Sequence, residues 1–148
     1  MTRVVVGLIY NLQNKILIAL RGKHQHQGGL WEFPGGKLEP GEIEAVTLAR
    51  ELKEELGISV IDSQFYLTTR FDYGDKTVEL TVYKVREFSG EPVGNEGQEI
   101  RWVFINELAC KDFPAANGSI IRALKQSDNW GLRQYVWDKW FKNQASAL

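Results

Sequence analysis

Glu51, Glu54 and Glu55 stand at i, i+3 and i+4, a spacing that brings three carboxylates onto one side of a helix. Like charges so placed destabilise a helix by about 0.2–0.5 kcal/mol per pair. Arg50 can reach Glu54 and Lys53 lies nearby, yet residues 35–58 carry six acidic side chains against three basic ones. A divalent cation relieves the conflict. Oxygen donors with neither Cys nor His among them suit Mg²⁺, or Mn²⁺ in its place, better than zinc. A solvated acidic surface shows the same cluster, so these residues alone leave both readings open.

The element that presents them is legible. Ala45, Leu48, Ala49, Leu52 and Leu56 fall within an arc of roughly 100° at helical spacing, which predicts a helix with that face buried. Pro40-Gly41 marks a turn before it, and Gly57 a C-terminal stop. Upstream, Val4 to Tyr10 and Lys15 to Leu20 read as a hairpin around NLQN. The polar loop from Arg21 to Gly29 follows, where Arg21 and Lys23 are either phosphate contacts or ordinary surface cations. His24 and His26 lack a third ligand and read as solvent-facing. Downstream, Val60 to Tyr73 and Thr77 to Phe88 flank Gly74-Asp75 as a second hairpin, with Val78, Leu80 and Val82 turned inward. After a glycine-rich loop from Ser89 to Gly97, Ile100 to Ile105 reads as a strand and Asn106 to Ala109 as a helical turn. Ile120, Ile121 and Leu124 predict a helix from Asn117 to Gln126, with Asn117 as its N-cap. A further amphipathic helix is expected over residues 129–143, with Leu132, Tyr135, Val136, Trp137, Trp140 and Phe141 packing on the domain. Strands and helices out of strict alternation argue an α+β fold with a mixed β-sheet.

At 148 residues, 43% hydrophobic and 25% charged, the chain is expected to form a single domain over residues 1–148. A net charge of −1 argues against a nucleic-acid polymer as partner and leaves a small nucleotide open. The lone Cys110 excludes an internal disulfide and reads as a small, partly buried apolar residue. No apolar run has the length of a signal peptide or a membrane span, so a cytoplasmic protein with no membrane contact is expected; a monomer is expected too, although no sequence pattern fixes it.

The order of residues adds a resemblance. Gly36, Glu42, Arg50, Glu51, Leu52, Glu54, Glu55, Gly57 and Ile58 match G-x5-E-x7-R-E-U-x-E-E-x-G-U, with U apolar, at every fixed position. This is the Nudix box, and the chain resembles the Nudix hydrolases, which cleave nucleoside diphosphates linked to another group and hold magnesium on the box helix. The resemblance implies an α/β/α sandwich. LWEFPGGKLEPGE, GEPVGNEGQ and DFPAAN further resemble the branch of that family that removes 8-oxo-dGTP from the nucleotide pool, so the likeness spans Val4 to Leu124. It implies Gly35, Glu51, Glu54, Glu55 and Glu96 as metal ligands, Gly35 through its carbonyl. Water would attack the β-phosphorus of a triphosphate, oriented or deprotonated by Glu51, or instead by Glu54 or Glu96. Arg50 would fix the carboxylates, Glu42 the loop-helix junction, and Arg21 the phosphates. Phe33 would sandwich the base against Val4 and Val6, and Asn117 would read it. Guanine presents two acceptors, O6 and N7, whereas its 8-oxo form carries hydrogen on N7 and offers an acceptor beside a donor, the complement of an amide. A Nudix enzyme for CTP or another pyrimidine triphosphate, and a noncatalytic nucleotide-binding module, are the alternatives.

Overall fold

The computed structural model describes residues 1–25 and 28–146, and for residues 128–137, 145 and 146 it describes the backbone alone. His26 therefore lies outside the described residues, as do the side chains of Leu132, Tyr135, Val136 and Trp137. The elements are β1 (Thr2–Ile9), β2 (Ile16–Leu20), β3 (Trp31–Glu32), β4 (Gly35–Lys37), α1 (Glu44–Leu56), β5 (Ser59–Asp72), β6 (Thr77–Ser89), β7 (Ile100–Val103) and α2 (Gly118–Ser146). Short 3₁₀ turns join β7 to α2.

The strands form two sheets. One is mixed, ordered β4-β1-β6-β5, with β1 parallel to β6 and antiparallel to β4; the other is antiparallel, ordered β3-β2-β7. The apolar run of β1 follows from its central place, because both of its faces are covered. Val6, Leu8 and Tyr10 join Ile16, Ile18, Leu80, Val82, Ile120, Ile121 and Leu124 in one core, on the α2 side. Val5 and Ile9 turn the other way and pack with Leu17, Leu48, Leu52, Leu56 and Ile58 beneath α1. The period-two alternation thus separates two apolar layers, and the result is the expected α+β sandwich. Gly7 lets α1 settle closely, since a Cβ there would lie 3.2 Å from methyl groups of both Leu48 and Leu52.

Several expectations need correction. β1 and β2 are not a hairpin: they share only the Tyr10–Ile16 bridge before diverging into different sheets. The hairpin of β5 and β6 does form, about Gly74 at φ 95°. On α1, Ala45 and Ala49 are exposed, and Thr47 is buried with Leu48, Leu52 and Leu56. The two helices expected after residue 117 are one continuous α2, and its Trp140 and Phe141 are 53% and 59% exposed. Cys110 is exposed as well. Among the described residues no helix is long and apolar enough to cross a membrane.

Candidate active site

Arg50 organises the start of the site. Its guanidinium grips Glu42 with two bonds, 2.9 and 3.0 Å, reaches Glu51 at 2.9 Å and stands 3.6 Å from Glu54. Glu42 also accepts from the Thr47 hydroxyl at 2.8 Å and the Glu39 N–H at 3.2 Å, closing the turn onto α1. The Arg50 guanidinium, and then the Thr47 hydroxyl, hold the Glu42 carboxyl down at about 2. The loop before α1 comes so close that a side chain at Gly36 would run into the Glu51 carboxylate, and one at Gly35 into the Val5 carbonyl.

The three box-helix carboxylates part company. Glu54 is exposed and leans toward Arg50, whereas Glu51 and Glu55 are partly buried. Glu55 accepts the Gly35 N–H at 3.3 Å, so the described contact of Gly35 with the carboxylates runs through its N–H. Burial pushes the Glu55 carboxyl up to about 8, helped by the negative charges of Glu51, Glu32 and Glu96. Burial also raises Glu51, against the pull of Arg50. Among the described residues no three His, Cys, Asp or Glu side chains are gathered tightly enough to hold a metal ion. The donor set nonetheless fits a hard divalent cation: it is all oxygen, and the charges of Glu51, Glu32 and Glu96 all bear on Glu55.

Glu55 opens onto two adjoining cavities. The first has about 970 Å³ of empty space and is lined by Val4, Val6, Arg21, Phe33, Gly35, Tyr73, Lys76 and Asn117, among others. Phe33 is buried at its wall and stacks on Phe113 with ring centroids 5.2 Å apart. Asn117 is 8% exposed. It closes a 3₁₀ turn, Ala115–Asn117, and makes no capping bond to α2; its amide donates one long bond, 3.5 Å, to the Pro114 carbonyl. Asn117 thus stands where the N-cap was expected, directly before α2, but among the described residues its amide turns back to Pro114 instead of capping the helix. The turn is moored by Ala116 N–H donating to the Tyr73 hydroxyl at 3.0 Å. The second cavity, about 900 Å³, is lined by Arg21, Lys23, Glu32, Glu55, Glu96 and Gln98. The two share Arg21, Gln25, Glu32 and Glu55. Arg21, Phe33, Gly35, Glu55 and Asn117 thus line one cleft, with Lys23 and Glu96 in the adjoining cavity, while Arg50, Glu51 and Glu54 line neither.

Some residues of this site were missed in the sequence. Glu32 is one, ion-paired to Arg21 and raised by burial, with Arg21 opposing the shift. A charge inside the apolar run LWEF was its signal. Tyr73 and Lys76, from the β5–β6 turn, carried none.

The model of the NUDIX domain matches residues 5–123. The chain belongs to the Nudix family. Among its Nudix relatives, an 8-oxo-dGTP diphosphatase of Escherichia coli strain K12 is 36% identical over 124 residues, covering 84% of this chain and 96% of the relative. A CTP pyrophosphohydrolase of the same organism is 34% identical over 130 residues, covering 84% and 96%. A solved MutT structure, from work on the Aliivibrio salmonicida and Vibrio cholerae proteins, superposes with a TM-score of 0.73 at 39% identity, covering 83% of this chain and 95% of the other. The α1 segment is thus the Nudix helix, and the two-sheet sandwich around it is the Nudix fold.

Proposed function

We propose that this Nudix protein hydrolyses 8-oxo-dGTP to 8-oxo-dGMP and pyrophosphate, clearing an oxidised nucleotide before it can be incorporated into DNA. The observation that carries the reading is one cleft with Glu55 and Arg21 at one part of its lining and Phe33 and Asn117 at another. A purine fits between Phe33 and the apolar residues Val4 and Val6, while the Asn117 amide meets the O6 and N7–H edge that only the oxidised base presents. Normal guanine leaves that amide mismatched, at a cost of about 1–3 kcal/mol for a buried polar group.

Glu51, Glu55 and Glu96, with Glu54 and Gly35 in support, would hold Mg²⁺. Magnesium supplies charge neutralisation for the polyphosphate and makes water more acidic. Glu51 orients or deprotonates the attacking water from its place one turn before Glu55. Arg50 keeps Glu51 from swinging free, through the 2.9 Å bond, while its grip on Glu42 fixes the guanidinium itself. Arg21 and Lys23 contact the phosphates, with Glu32 holding Arg21 at the cleft. The E. coli relative named for CTP favours a second reading, a pyrimidine triphosphatase, since the Nudix helix determines the chemistry and not the base. Initial rates on 8-oxo-dGTP, dGTP and CTP with magnesium separate the two. At least tenfold preference for 8-oxo-dGTP is expected; equal rates on 8-oxo-dGTP and dGTP would remove the assignment of Asn117.

A further inference from the structure

The last carbonyls of α1 have no partner within the helix, as at any helix C-terminus. The segment between β6 and β7 supplies their donors. Val93 N–H donates to the Leu56 carbonyl at 3.0 Å, Asn95 N–H to the Glu55 carbonyl at 3.0 Å, and the Asn95 amide to the Glu54 carbonyl at 3.3 Å. Gln98 adds a bond of another kind. Its amide nitrogen donates to the Glu55 carbonyl at 3.1 Å while its amide oxygen accepts the Glu96 N–H at 2.9 Å. A carbonyl requires a donor and an N–H requires an acceptor, so the two partners fix which way the amide faces. One side chain thereby bridges the backbones of two glutamates that line the same cavity.

Glu96 needs such a tether. It is exposed, and among the described residues its carboxylate makes no ion pair. It stands between Asn95 and Gly97 in a turn where Gly97 has φ 80° and Gly94 has no room for a Cβ against the Gln98 carbonyl. With no ion pair to hold that side chain among the described residues, its backbone fixes where the side chain starts and so the region its carboxylate can sweep, and the Glu96 N–H is held by Gln98.

We propose that Gln98 is a positioning residue: by tying Glu96 to the end of α1 it keeps the loop carboxylate within reach of Glu55, and so sets the affinity of this group for a divalent cation. The inference rests on the reading that Glu96 and Glu55 share that ion. It is tested by titrating nucleotide-free protein with Mn²⁺ in a calorimeter. Gln98→Met keeps the length of the side chain and removes both polar contacts; it is expected to weaken Mn²⁺ binding about tenfold, the usual size of a supporting-residue effect on a metal site. Activity should fall at limiting metal and recover at saturating metal. Glu96→Gln should weaken binding at least as much, and the double variant no further, because Gln98 acts only through Glu96. Unchanged affinity in Gln98→Met with a loss in Glu96→Gln overturns the inference and spares the shared ion. Unchanged affinity in Glu96→Gln overturns the shared ion and the inference with it. Losses that multiply in the double variant overturn the inference by showing that Gln98 acts through a general loosening of the helix end. Should Gln98→Met not fold, Gln98→Asn, one methylene too short to span both partners, is titrated in its place with the same outcomes.

Discussion

Metal binding should be coupled to loss of a proton from Glu55. In the metal-free protein burial and three neighbouring carboxylates hold that group at about 8 against an ordinary 4.5. At pH 7 a group with a pKa of about 8 is about nine-tenths protonated, and a cation ligated by the carboxylate has to displace that proton. Affinity should then rise about 50-fold, ~2.3 kcal/mol, between pH 6 and 8, close to tenfold over the first unit, and level off above. Calorimetric titration with Mg²⁺ or Mn²⁺ in two buffers of different ionisation heat counts the protons, and about 0.9 should leave per site at pH 7. Glu55→Gln should bind weakly with no pH slope. The metal-free protein carries the same signature in its stability. The folded carboxyl titrates above the unfolded one, so the contribution of Glu55 is fully present below about 4.5 and is lost as pH rises through about 8. The melting temperature of metal-free protein should accordingly fall from pH 5 to pH 8, and Glu55→Gln should flatten that fall. Equal wild-type affinities at pH 6 and pH 8, with no proton released, would refute the reading of Glu55 as a partly buried carboxyl that takes up a cation.

Three substitutions test other parts of the molecule. Leu52, on the inward face of α1, is fully buried, and Leu52→Ala should cost about 2–5 kcal/mol in urea denaturation. Gly36→Ala should push the Glu51 carboxylate aside and lower kcat about 100-fold, as small misplacements in a site do, with nucleotide KM little changed. Asn117→Ala should leave dGTP hydrolysis nearly unchanged while cutting the kcat/KM preference for 8-oxo-dGTP over dGTP by about 5- to 150-fold, the equivalent of about 1–3 kcal/mol.

The Nudix helix was legible because three signals coincide there: an apolar stripe, a carboxylate face and a glycine stop, seen as Gly57 at φ 72° donating to the Lys53 carbonyl. The β5–β6 hairpin was equally plain, with β-branched residues on both sides of Gly74. Periodicity says which face is buried and not against what, so β1 and β2 looked like a pair although tertiary packing sends them into separate sheets. The same limit explains Ala45 and Ala49, small enough to sit on either side of the boundary, and Thr47, which reads as polar until its hydroxyl is seen donating to Glu42. Glu32, Lys76 and Gln98 come to the site from three separate segments. Only folding brings them to the cavities that Glu55 lines.

Hydrolysis of 8-oxo-dGTP in oxygen-18 water, with the products resolved by mass, tests the central claim most directly. Attack on the β-phosphorus by water activated at Glu51 and Glu55 puts the heavy oxygen into pyrophosphate, leaves 8-oxo-dGMP unlabelled, and fails to occur in Glu55→Gln. Label in the monophosphate, release of orthophosphate, or undiminished turnover in Glu55→Gln would contradict it.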